Sequence, residues 1–152
     1  MAFGSEQWMY SAGGFYPDEI GQSLRFDDAY LSRTPSVAGN RKTWTWSGWV
    51  KRGGLGASND LLSCFIDSNN FFRLYFTGSD TLRIRSNISG SATNVSTTSV
   101  FRDPSAWYHI VVMQDTTQST DTNRTKIYIN GTLLLPADLD YDQYPAQNDD
   151  TA

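Results

Sequence analysis

One cysteine, one histidine and two glutamates are all that the sequence offers of three chemically versatile residue types. Each scarcity closes off a class of function. A lone Cys64 rules out an intrachain disulfide, and its setting reads as that of a small buried residue, not a reactive thiol. One His and one Cys cannot furnish the four ligands of a structural zinc site. His109, between Trp107 and Val111, reads as a packed, hydrogen-bonded ring before it reads as a catalytic base. Glu6 and Glu19 both precede residue 20, and no strand-like run carries the paired carboxylates that glycoside hydrolysis uses, so no enzyme is expected.

Positive charge is also in short supply. Twelve Lys and Arg against sixteen Asp and Glu leave a net charge of −4, poor for tracking a phosphate backbone, so nucleic acid is not an expected partner. No apolar run approaches the ~20 residues of a membrane-crossing helix, and no basic stretch leads into an apolar one at the N-terminus. The sequence therefore predicts no membrane insertion and a chain made and kept without secretion. On that reading the sequons at Asn87, Asn94, Asn123 and Asn130 are chance products of a Ser/Thr/Asn-rich surface. Helical periodicity is missing too: nowhere do apolar residues recur at i, i+3, i+4 and i+7 for three turns.

What the chain does have is aromatic residues, five Trp, eight Tyr and eight Phe, and alternating runs of five to eight residues between turn-forming clusters. That pattern predicts an all-β, antiparallel sandwich. The clearest run is Thr43 to Arg52, where Trp44, Trp46, Gly48 and Val50 alternate with Thr45, Ser47, Trp49 and Lys51. It reads as a central strand facing Trp107 to Asp115, itself apolar on both faces and hence expected to be covered on both. Trp49 falls on the other face, either packed beneath loops or lining a groove where a sugar could stack.

Between these strands, Leu61–Ile66, Phe71–Phe76 and Thr81–Ser86 read as a meander turning at 67–70 and 77–80. Phe72, Leu74 and Phe76 share one face, as do Leu82 and Ile84, while Arg83 and Arg85 are expected to point to solvent or a partner, solvation being the usual case. Gly53-Gly54-Leu55-Gly56 is a plain turn, since no helix follows to make it a phosphate cradle. Residues 88–99, rich in Ser, Thr and Asn, read as an exposed edge or loop. Residues 115–124 read as a polar, mobile loop. Asn130-Gly131 between Lys126–Ile129 and Thr132–Leu135 is a hairpin signal. Asp60, Asp67, Asp80 and Asp121 sit in loops beside other oxygen donors, so calcium is the alternative to ordinary turn chemistry there; no other cofactor is expected.

The organisation follows as an aromatic, Gly-rich arm over 1–22, a sandwich over 23–135 and an acidic segment over 136–152 with little to bury. Ser23–Leu31 is expected to hold two short strands divided at Asp27-Asp28. Phe3, Trp8, Tyr10, Phe15 and Tyr16 have no strand or helix period, and five such rings need cover, on the domain itself or on a neighbouring subunit. They are the candidate partner-binding residues.

Trp44-Thr45-Trp46-Ser47-Gly48-Trp49-Val50-Lys51, the Trp107–Val112 strand and the Lys126–Thr132 hairpin, in that order and spacing, resemble the laminin-G-like, concanavalin A-like lectin domains. The resemblance covers about residues 23–135 and implies a jelly-roll sandwich. The opening, Gln22–Phe26 and Ala29–Pro35 followed by Gly39–Arg52, is similar more narrowly to virion proteins of tailed bacteriophages. That implies a structural or adhesion component of a particle, in a tail fibre, another tail part or a capsid decoration, made in the bacterial cytoplasm and docked on other virion proteins in an oligomeric assembly. The alternative it implies is a carbohydrate-binding module for host-surface glycans through Trp49. The family's domain runs into further strands after the hairpin, which implies that this fold lacks its closing strands or has them supplied by another chain. The family's calcium-binding aspartates have no clear match.

Overall fold

The computed structural model describes residues 22–151. These fall in two units, one up to Ser36 and one from Val37 onward. In the first, residues 22–36 form no strand. The two short strands expected over Ser23–Leu31 are thus corrected: three or four alternating residues with no ladder partner have nothing to hold them extended. Only the bend at Asp27-Asp28 remains, with Asp28 in the left-handed region at φ 53°.

The second unit is an antiparallel two-sheet structure. Its strands are β1 (Thr43–Lys51), β2 (Asn59–Asp67), β3 (Asn70–Phe76), β4 (Thr81–Ile88), β5 (Ser91–Val100), β6 (Trp107–Asp115), β7 (Thr125–Ile129), β8 (Thr132–Leu133) and β9 (Leu139–Gln143). One sheet runs β1-β6-β7-β8 and the other β2-β3-β4-β5-β9. Side chains alternating at period two from both sheets make one core: Phe72, Leu74, Phe76, Leu82, Ile84 and Val95 from the five-stranded sheet meet Ile110, Val112 and Ile127 from the other. The all-β sandwich and the inward faces of β3 and β4 are as expected.

Trp44, Trp46 and Val50 pack on that core as their alternation requires, and the indole of Trp44 meets Phe72 edge-on at 5.2 Å. Gly48 shares their face because Trp46 lies across it: a Cβ there would stand 3.0 Å from the indole. Two expectations about this strand change. β1 has β6 as its only ladder neighbour among the described residues, so it is an edge and not central. β6 is also not the layer opposite; it lies beside β1 with Trp46 across from Val112, and the facing layer is β3 with its neighbours. Apolar residues on both faces of β6 do not mean cover on both, since Trp107 and Met113 on its outer face are exposed.

Two more segments are corrected. Residues 91–100 form an inner strand between β4 and β9, not a loop or edge. Its hydroxyls are satisfied locally, which lets a polar strand be buried: Thr97 Oγ1 accepts from the Leu82 amide at 3.1 Å and donates to the Ser99 carbonyl at 2.8 Å. The residues after Pro136 also bury more than their acidic composition suggests. β9 pairs with β5, Leu139 enters the core, and Thr151, 2% exposed, accepts from Trp44 Nε1 at 2.9 Å and donates to the Arg41 carbonyl.

The hairpin is as expected: Asn130 at φ 50° and Gly131 at φ 81° give the doubly left-handed turn that joins β7 to β8. The loop over 115–124 is pinned by Arg124, which donates to the carbonyls of Gln118, Ser119 and Pro145. Cys64 is exposed, not buried, because the whole of β2 is an edge strand covered on neither face beyond Leu61.

Candidate functional site

The sugar-binding candidate Trp49 stands on the outer face of the four-stranded sheet, 53% exposed. Its ring stacks on cross-strand His109 at 4.9 Å, and His109 Nε2 lies 3.1 Å from Ser47 Oγ. His109 is therefore packed and hydrogen-bonded, on an open sheet face instead of in the core. With Trp107 beside it, this face presents exposed rings together with the polar side chains of Thr45, Ser47 and Lys51. Phe3, Trp8, Tyr10, Phe15 and Tyr16 lie outside the described residues.

The four aspartates expected in loops are each engaged by the protein, and two of them, Asp60 and Asp67, lie instead near the two ends of β2. Asp60 receives Arg73 at 2.6 Å, Asp67 accepts from the Asn69 amide at 2.7 Å, and Asp121 accepts from the Thr122 amide at 2.7 Å. Asp80, 5% exposed, accepts from Arg52 at 3.2 Å, from the Gly56 amide at 2.9 Å and from Arg102 at 3.0 Å. Among the described residues no group of three or more His, Cys, Asp or Glu is placed to hold a metal ion. The glycine turn at 53–56 has a role that its sequence does not declare. It wraps Arg52 and Asp80, giving the carbonyl of Gly54 to one and the amide of Gly56 to the other.

The Gly56 amide, together with Arg102 and Arg52, holds the Asp80 carboxyl below its ordinary value of 3.8 against the opposing effect of burial. Asp67, Asp103 and Asp115 are lowered likewise by hydrogen bonds from Asn69, Ser105 and Thr117. A folded-state value below the unfolded one means stabilisation that is fully present above about pH 4 and lost as pH falls through the folded values. The unfolding temperature is expected to be flat from pH 5 to 8 and to drop below pH 4. In Asp80→Asn that acid dependence should be shallower, and a profile unchanged by the substitution would count against the role given to Asp80.

The other sheet carries a more structured recess. Inward residues alternate with outward ones, so Arg73 and Tyr75 on β3, Arg83 and Arg85 on β4, and Asn94 and Ser96 on β5 share its outer face. The register sets Tyr75, Arg83, Ser96 and Asp140 in one row across four strands, with Arg73, Arg85, Asn94 and Gln143 in the next. Around the first row opens a pocket of about 500 Å³ lined by Thr77, Ser79, Thr81, Arg83, Ser96, Thr97, Thr98, Leu139 and Asp140. Its walls are hydroxyls with one cation and one carboxylate, a lining suited to a polyhydroxylated ligand. Arg83 is not the solvated side chain expected of it: it is half-buried, and its Nε is buried with no hydrogen-bond partner. The sequence hid this site because three of its hydroxyls, those of Ser96, Thr97 and Thr98, lie in the segment expected to be an exposed edge or loop, and its carboxylate lies in the acidic segment expected to bury little.

Residues 26–150 match the family model of the concanavalin A-like lectin/glucanases superfamily. The chain belongs to that superfamily. The matched span takes in β1 to β9, including the C-terminal strand, and a superfamily of lectins and glucanases fits a carbohydrate-binding or adhesion role. No curated protein and no solved structure matches the chain.

Proposed function

We propose that this superfamily member is a non-enzymatic carbohydrate-binding adhesion domain that takes its sugar on the outer face of the β2-β3-β4-β5-β9 sheet. The observation that carries this is the polar pocket at the Tyr75-Arg83-Ser96-Asp140 row, of a volume usual for small-ligand sites. Support for binding without hydrolysis comes from its carboxylates: Asp140 is the only one among the described lining residues, whereas most glycoside hydrolases use two. The likeness of the opening sequence to tailed-bacteriophage virion proteins supports a particle as the setting. There the aromatic arm, through Phe3, Trp8, Tyr10, Phe15 and Tyr16, docks the domain on other virion proteins, and mass spectrometry of purified particles tests for it.

A glycan array tests the binding. Thr98→Trp, at an exposed position on the pocket wall, fills the recess and is expected to abolish the array signal, while Trp49→Ala leaves it within about threefold. A wild-type protein that binds no glycan, or a signal lost in Trp49→Ala and kept in Thr98→Trp, overturns the assignment.

A further inference from the structure

The pocket carries its two charges at separate places, and that bears on which sugars it accepts. Arg73 is matched by Asp60, but among the described residues Arg83 and Arg85 form no ion pair, and Arg85 meets only the Phe71 ring at 5.8 Å. In a chain of net charge −4, two uncompensated guanidinium groups on adjacent outward positions of one strand make a local positive face. Arg83 carries the sharper signal. Its Nε is fully shielded from water and has no acceptor, although a buried donor left unpaired costs free energy that folding normally avoids. That nitrogen is closed to a ligand as it is to water, but the rest of the half-buried guanidinium stands at the wall of a recess open to solvent with no ion pair among the described residues, so a ligand can bring it an acceptor.

The acceptor that best fits a planar guanidinium fork is an oxyanion, taken by two parallel hydrogen bonds. Asp140 limits where it goes. It lies on β9, two strands from Arg83 along the same register row, about 10 Å away across the sheet. The recess thus has a cationic end and an anionic end with the hydroxyls of Ser96 and Thr98 between them. A saccharide fits that polarity when its oxyanion faces Arg83 and one of its hydroxyls donates to Asp140.

We infer that the pocket selects acidic saccharides, binding the carboxylate or sulfate of a sugar at Arg83 and orienting the ring by a hydroxyl bond to Asp140. This rests on the sugar-binding reading above and names the ligand class. The same chemistry is available from a uronate or a sulfated sugar, and from free inorganic anion.

The test is affinity for matched oligosaccharides, neutral, uronate-containing and sulfated, at two salt concentrations, with inorganic sulfate and glucose as competitors. An acidic saccharide is expected to bind about tenfold or more tightly than its neutral counterpart, with an advantage that shrinks at high salt. Arg83→Gln should lower affinity for the acidic ligand by about ten- to a hundredfold and leave the neutral one unchanged. Arg83→Lys keeps the charge but loses the fork, so it should recover only part of that loss. An unfolding midpoint at or above wild type in both variants shows that they fold. Equal binding of neutral and acidic ligands overturns this inference while the sugar-binding reading stands. Binding of no saccharide overturns both. Competition by inorganic sulfate as strong as by the acidic saccharide overturns the inference too, because the ring then contributes nothing.

Discussion

Phe76→Ala is expected to lower the free energy of unfolding by about 3–5 kcal/mol, the range for a large side chain lost from a closed core. Phe76 is fully buried, and its ring does two things at once. On one side it packs against Phe101, with centroids 5.4 Å apart, and Phe101 in turn meets Tyr108 of the other sheet edge-on at 5.2 Å. The ring is thus part of the contact between the two layers. It also lies beneath the Arg52 guanidinium at 4.3 Å, so its removal withdraws the surface on which a buried cation rests. Against a typical domain stability of about 5–15 kcal/mol, such a loss leaves a marginal fold. Chemical denaturation measures it, with Trp49→Ala as the exposed control expected to lose under about 1 kcal/mol. Comparable small losses at both positions would mean that Phe76 is not in the core.

Arg52→Ala should cost on the order of 3 kcal/mol, because removing one partner of a buried ion pair strands the other. Arg52 is 4% exposed, and its fork is spent on four acceptors: the Phe101 carbonyl at 3.0 Å, the Gly54 carbonyl at 2.9 Å, Asp80 at 3.2 Å and the Asn59 side-chain oxygen at 3.4 Å. Arg102 still reaches Asp80 in the variant, but it is largely exposed and replaces neither carbonyl bond. Arg52→Lys should lose most of the same energy, since an ammonium on a single stem cannot present a planar fork to all four acceptors. The glycine turn is then left without the group it wraps, and exchange of the Gly56 amide should quicken. A loss under about 1 kcal/mol for Arg52→Ala would show that the pair does not hold the turn to the sandwich.

The pairing of Arg52 with Asp80 does not stand out in the sequence, and the reason is physical. Alternation at period two is a local signal, so Trp44, Trp46 and Val50, the faces of β3 and β4, and the Asn130-Gly131 turn are all legible from neighbours in the chain. Arg52 and Asp80 are 28 residues apart and meet only because β1 and the β3–β4 turn converge, which no local pattern encodes. The same limit explains β5 and β9. A strand whose inward side is Thr93, Val95 and Thr97 looks like a loop until the Leu82 amide is there to satisfy a threonine hydroxyl. A segment as acidic as 136–152 looks solvated until β5 supplies a ladder for it. The pocket needs both strands, so the sequence directed attention to Trp49, whose ring is conspicuous, and away from Arg83.

Which face binds sugar is settled most directly by amide chemical-shift mapping of the full chain titrated with an acidic oligosaccharide. The expected result is a single cluster of perturbed amides over Thr77–Arg83, Ser96–Thr98 and Leu139–Asp140. Perturbation centred instead on Ser47–Trp49 and Trp107–His109 would contradict the assignment and move the binding face to the other sheet.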